Sequence, residues 1–162
     1  MITTIFTFVY VVLSVMAIGT GITVLFGLFT GELFYKWAVL FLQCTLAISL
    51  AGLLFPFHDF LPTRWVSMLS VYGSGVAFLA WRKFRLAGVW SSVFALSATV
   101  VLYFDVLIAS AQVFKYISLF REQPQAQSEL SYLVVQLMLM VFFVILGFIV
   151  VKRFRGRIKT FF

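Results

Sequence analysis

Residues 100–114, "VVLYFDVLIASAQVF", are apolar nearly throughout, yet a carboxylic acid, Asp105, stands among them. An ionisable side chain inside such a run is costly to hold, and by default it marks a candidate functional site. Two chemistries suit it, a proton relay and a cation site. The competing reading is a hydrogen bond that ties two helices together. No Lys or Arg occurs in the middle of any apolar run, so no ion pair is on offer there. The carboxyl is therefore expected to be neutral and hydrogen-bonded, because an unpaired buried charge neutralises. Its candidate partners are Gln112 on the same helix face, Gln43 and Gln136. A relay normally needs several ionisable groups in series, so the structural hydrogen bond is the favoured reading.

Two further stretches carry chemistry-bearing residues. In "LLFPFHDFLPTRW", residues 53–65, Pro56 and Pro62 bracket His58 and Asp59. A His beside an Asp can carry protons, sense pH or contact a cofactor, and one imidazole can serve as an axial ligand to a haem or a chlorin. His58 is the only histidine, however, so it lacks the companions that metal and acid–base sites need. An ordinary interfacial loop is the favoured reading. The C-terminal "VKRFRGRIKTFF" interleaves Lys152, Arg153, Arg155, Arg157 and Lys159 with Phe154, Ile158, Phe161 and Phe162. It suits either anionic headgroups at a membrane surface or a docking arm for a partner subunit. No nucleophile–base pair and no Gly-rich phosphate loop stands out, so a non-catalytic role with no metal is expected.

The elements that position these residues follow from composition. The chain has 162 residues, of which 64% are hydrophobic and 10% charged, and Phe alone accounts for 21. A soluble domain of this size needs far more charged surface, so an integral membrane protein is expected. The formal net charge of +7 would suggest nucleic acid in a soluble protein. Here, retention of Lys and Arg in cytoplasmic loops explains it, and no nucleic-acid partner is expected. Cys44 is the only cysteine, which rules out a disulfide within the chain.

Five apolar segments cover about residues 5–29, 33–55, 65–81, 89–114 and 132–151. Each is close to the ~20 residues that cross a hydrocarbon core of ~30 Å. The first lacks a basic leader and is too long for a cleaved signal, so it reads as a retained span. The expected fold class is all-α: a single transmembrane domain, an antiparallel bundle of five helices, with residues 152–162 as a basic tail. With five spans, Lys36, Arg82, Lys83, Arg85, Lys152, Arg153, Arg155, Arg157 and Lys159 fall on one side, and Arg64, Lys115 and Arg121 on the other. The positive-inside rule then puts the N-terminus outside and the C-terminus in the cytoplasm. The longest connection, "KYISLFREQPQAQSEL", would be external; its second half reads as loop from Pro124 and its glutamines, and its first half can extend the fourth span.

Helices in lipid associate through close contact and partnered polar groups, so small and polar residues at helical spacing mark inner faces. The fourth span carries Ser91, Ala95, Ala98, Leu102, Asp105, Ala109 and Gln112 on one face, leaving Phe94, Val100 and others for lipid. The third carries Ser70, Gly73, Ala77 and Ala80, flanked by Ser67 and Ser74. The first carries Ser14, Ala17 and Gly21, with Gly27 and Gly31 four apart. The second offers Gln43, Ala47 and Ala51, and the fifth Gln136, Met140, Phe143 and Gly147.

The ordered blocks "VLFGLFTG", "LFPFH", "FRLAGVW", "LYFDVLIASAQVF", "AQSE" and "VILGFIVVKRF" span about residues 24–154. As a set they resemble a group of small bacterial integral membrane proteins with no assigned activity. The resemblance implies a multi-pass protein of the bacterial cytoplasmic membrane. Relatives in that group tend to carry Asn where this chain has Asp105, which implies a need for a hydrogen-bonding side chain there rather than a titratable one.

The expected function is a non-catalytic accessory or structural subunit packing against a larger membrane complex of respiratory or photosynthetic type. Its partners would be the lipid bilayer and other membrane subunits. No cofactor is required, although lipid, quinone or pigment would fit grooves between helices. The alternatives are a small proton-coupled transporter or channel using Asp105, and a haem-, pigment- or quinone-binding protein using His58.

Overall fold

A computed structural model describes residues 2–32, 34–54, 61–120 and 125–158. Side chains are described for these residues except 2–4, 7, 52, 54, 61–64, 112, 115–120, 125–129 and 155–158. Among the described residues the chain is all-helical, with five helices and no strand. They are α1 (Ile2–Thr30), α2 (Tyr35–Leu54), α3 (Leu61–Arg82), α4 (Val89–Phe120) and α5 (Gln125–Ile158).

Three stretches are long and apolar enough to cross a membrane: Phe8–Thr30, Val89–Ala111 and Leu130–Phe154. This supports a transmembrane helical bundle. Tyr35–Ala51 in α2 is a shorter apolar stretch. The 22 residues of α3 carry Ser67, Ser70 and Ser74 among their apolar positions, which dilutes its hydrophobicity.

Helix ends follow local backbone chemistry. At the end of α1, Gly31 takes φ 82°, and its N–H donates to the Leu28 carbonyl at 3.3 Å. The Glu32 N–H donates to the Gly27 carbonyl at 2.9 Å. This pair of bonds is a Schellman cap, which needs a left-handed residue at the position of Gly31. Gly27 leaves room for the returning chain, since a Cβ there would lie 2.6 Å from the Glu32 carbonyl oxygen. Read from spacing, Gly27 and Gly31 form a helix–helix contact pair. Their role is instead to turn the chain from α1 into α2.

The α3–α4 connection, residues 83–88, is built differently. Arg85 (φ 46°), Leu86 (φ 58°) and Gly88 (φ 55°) are all left-handed. The two non-glycine residues each cost about 1–2 kcal/mol in that region. The Leu86 N–H donates to the Ala80 carbonyl at 3.3 Å, and the Ala87 N–H to the Phe84 carbonyl at 2.9 Å. The rings of Phe84 and Trp90 stack across the turn with centroids 3.7 Å apart and planes 3° from parallel. These contacts hold the strained turn in place.

Between α4 and α5 the expected loop is shorter than its composition suggests. α4 continues through Phe120, and Gln125–Leu130 is already helical. Gln, Ala and Glu are good helix formers, and a proline just before a helix costs it nothing. Likewise α5 runs unbroken to Ile158, so residues 152–158 of the basic tail continue the helix.

Packing centres on α4, which contacts α1, α3 and α5, while α1 also packs on α2 and α5, and α2 on α3. Ser91, Ala95, Ala98, Leu102 and Asp105 are buried as their stripe predicts. Phe94, expected to face lipid, is also buried, because a helix with three neighbours buries a wider arc than one stripe. The α3 face holds too, with Ser67, Ser70, Ser74, Ala77 and Ala80 buried. On α5, Phe143 and Gly147 are buried and Met140 is exposed.

The α2 face is the main correction. Gln43 and Ala47 are exposed; the buried side is Ala38, Phe41, Leu42, Thr45, Ile48 and Ser49. The reason is a large-into-small fit. A Cβ on Gly21 of α1 would lie 2.8 Å from Phe41 Cε2 and 2.5 Å from Leu102 Cδ1. The missing side chain on α1 is what admits the large ones from α2 and α4, so the inner face of α2 is not the one with the smallest residues.

Candidate functional site

Asp105 sits four turns into α4, on the face turned toward α1 and α2, and is 3% exposed. Thr45, fully buried on α2, donates its hydroxyl to Asp105 Oδ2 at 2.9 Å. This hydrogen bond joins two helices through residues 60 positions apart in the chain. Tyr10 of α1 and Cys44 of α2 belong to one buried cluster with Ile108 of α4, three residues on from Asp105. Four side chains from three helices therefore share one neighbourhood.

Among the described residues, the second carboxyl oxygen, Asp105 Oδ1, has no hydrogen-bond partner. Nor have the buried hydroxyls of Ser49 on α2 and Ser67, Ser70 and Ser74 on α3. The Ser92 hydroxyl on α4 is likewise unpartnered, whereas several others bond a carbonyl one turn back, as serine and threonine usually do in apolar helices. Ser14 bonds the Tyr10 carbonyl at 2.9 Å, Thr20 the Met16 carbonyl at 2.7 Å and Thr99 the Ala95 carbonyl at 2.7 Å. The four serines of α2 and α3 leave their own backbone alone.

Of the sequence-predicted partners whose side chains are described, neither Gln43 nor Gln136 bonds Asp105. Gln43 is two residues from Thr45, about 200° around a helix of 3.6 residues per turn, and is exposed. Gln136 is half-buried. Phe143, seven residues further along α5, packs against Tyr103 with ring centroids 5.7 Å apart. That leaves Gln136 roughly 10 Å along the axis from the level of Tyr103. The Gln112 side chain, His58 and Asp59 lie outside the described residues. Thr45 is the residue sequence reasoning missed. Its signal was its place on the helix face that also carries Phe41 and Ser49, not its polarity relative to Gln43.

The basic residues gather elsewhere. Arg82, Lys83, Arg85, Lys152 and Arg153 are exposed. The Arg153 guanidinium lies over the Phe29 ring, 4.2 Å from its centroid, and Arg82 over Phe78 at 5.7 Å. Tyr35 packs on Trp81 with centroids 4.8 Å apart. The end of α1, the start of α2 and the end of α3 thus lie beside basic residues from α3 and α5. The Arg155 and Arg157 side chains and Lys159 lie outside the described residues.

Comparison with known proteins returned no match: no family model, no curated protein and no solved structure matches the chain.

Proposed function

We propose that the chain is a non-catalytic integral membrane protein that serves as an accessory or structural subunit of a larger membrane complex. The observation that carries this reading is the fifth helix. In the 18-residue apolar window of its stretch Leu130–Phe154 only 11% is buried by the rest of the chain, against 44% in the corresponding window of each of the other two long stretches. Leu137, Met138, Val141, Val144, Ile145 and Phe148 all project outward from it. An apolar helix attached along one narrow edge suits a protein that presents a face to neighbouring subunits and lipid. Extraction in mild detergent followed by measurement of native mass tests it.

In this reading the five helices form an antiparallel bundle in a bacterial cytoplasmic membrane, with α2 and α3 crossing as well. The shared end of Phe29, Tyr35, Trp81 and Arg153 is consistent with alternating helix directions. The basic residues at that end support a cytoplasmic location for it. In a Cys44→Ser background, Lys83→Cys and Lys152→Cys should react with an impermeant maleimide only after the membrane is opened. Gln127→Cys should react in intact cells. The reverse pattern would overturn the orientation.

A second reading, a small cation- or proton-coupled transporter, is favoured by one observation, the unpartnered Oδ1 of Asp105. Asp105→Asn in a flux assay separates it from the first, since unchanged flux removes Asp105 from any transport step.

A further inference from the structure

We propose that the seam between α2, α3 and α4 binds a single monovalent metal cation on Asp105 Oδ1, with the hydroxyls of Ser70 and Thr45 as further ligands. The inference uses the antiparallel packing proposed above and is independent of membership in a complex.

Register brings these residues to one level. Gly73 of α3 meets Val101 of α4 so closely that a Cβ on Gly73 would lie 2.8 Å from Val101 Cγ2. From that contact, Ser70 lies one turn back along α3 and Asp105 one turn onward along α4. In an antiparallel pair both steps lead the same way, by about 5 Å, so the two residues remain level. Thr45 is fixed at the same level by its bond to Asp105. Ser49 and Ser67 each lie one further turn along α2 and α3 and extend the seam. Ser49, Ser67, Ser70, Ser74 and Asp105 are all at most 3% exposed.

The unmet bonding capacity points to a bound species. Buried polar atoms without partners are rare, and each one calls for an explanation such as an ion or water. A proton on Asp105 does not remove the deficit, because an Oδ1–H would still lack an acceptor. A cation meets Oδ1 and the Ser70 hydroxyl together, leaving the serines a turn or more away as they are, and supplies the countercharge that the absence of mid-span Lys and Arg leaves missing. The donors are hard oxygens, which suit alkali and alkaline-earth ions rather than softer metals. Among the described residues no three His, Cys, Asp or Glu side chains gather to hold a metal. With one carboxylate, a monovalent ion gives a neutral site, whereas a divalent ion would leave a buried positive charge.

The test is equilibrium binding of radioactive sodium to the purified full chain in detergent, with choline chloride holding ionic strength constant. Saturable binding of a single ion per chain is expected, displaced by unlabelled sodium or lithium and not by choline. Asp105→Asn, which keeps the size of the side chain and an acceptor for Thr45, should weaken it by at least about a hundredfold, the scale for removing one partner of a buried charge pair. Ser70→Ala should weaken it by about tenfold, the loss of one hydrogen-bond-scale ligand. A monodisperse, folded wild-type protein that binds no more sodium than it does in the presence of excess unlabelled sodium would overturn the proposal without recourse to any variant. So would saturable binding that Asp105→Asn, folded by the same criterion, leaves unchanged.

Discussion

Gly21→Leu is expected to destabilise the bundle by about 3 kcal/mol, the upper part of the usual range for overpacking a core. The hydrogen of Gly21 faces two of the most completely buried side chains of the protein, Phe41 and Leu102, each 1% exposed. Even a methyl group there would sit 2.5 Å from Leu102 Cδ1 and 2.8 Å from the Phe41 ring. A leucine has no free volume to enter, so α1 must move away from α2 and α4 at the point where all three meet. Gly19, two residues earlier, is the control. A Cβ there meets nothing within 4 Å. Gly19→Leu should therefore change stability by about 0.5 kcal/mol or less, as exposed substitutions do. Unfolding in mixed micelles by titration with a denaturing detergent measures both. Similar losses at the two positions would refute the three-helix contact. Shortening a partner side chain, as in Gly21→Leu with Leu102→Ala, should recover part of the loss, because the two residues compete for one space.

Thr45→Val should cost about 1–3 kcal/mol, the cost of leaving a buried polar group without its partner. The substitution conserves shape and removes the only hydrogen-bond donor that Asp105 has among the described residues. Asp105→Asn should cost less than about 1 kcal/mol, since an amide oxygen still accepts from Thr45 and hydrogen bonds within membrane bundles are individually modest. Thr45→Val combined with Asp105→Leu should be less destabilised than the sum of its single variants, because no polar group is then stranded. The same denaturing-detergent titration reads all of these. If Thr45→Val proves neutral, the α2–α4 bond carries no weight in the fold.

Much of this fold was legible because lipid imposes few solutions. Five apolar segments near membrane length yield five helices, and their inner faces on α1, α3 and α4 were marked by Ser14, Ala17, Ser70, Ala77, Ala95 and Ala98. Three features were not legible, each for a physical reason. The face of α2 was misjudged because close packing needs one small residue per contact, and Gly21 supplied it from the other side of the interface. The Gly27–Gly31 pair looked like a contact motif, since capping and packing draw on the same residue type. The boundaries of α4 and α5 overran the apolar segments, because backbone hydrogen bonding continues into polar sequence wherever good helix formers follow. At the site, Asp105 and its inward direction could be read directly. Its partner could not: Thr45 and Gln43 are both hydrogen-bonding residues on one helix, and only the rotation of α2, set by Phe41 against Gly21, decides between them. The seam of unpartnered serines was equally hidden, for no spacing rule tells a hydroxyl that bonds its own backbone from one that does not.

The most direct test of the subunit assignment is the native mass of the particle extracted from its own membrane in mild detergent, with a photo-crosslinker at Val144 on the outward face of α5. The chain alone is 18.4 kDa. The account predicts a particle well above one chain plus its micelle, with Val144 joined to a defined partner polypeptide. A monodisperse single chain carrying only detergent and lipid, with no crosslink to protein, would contradict it.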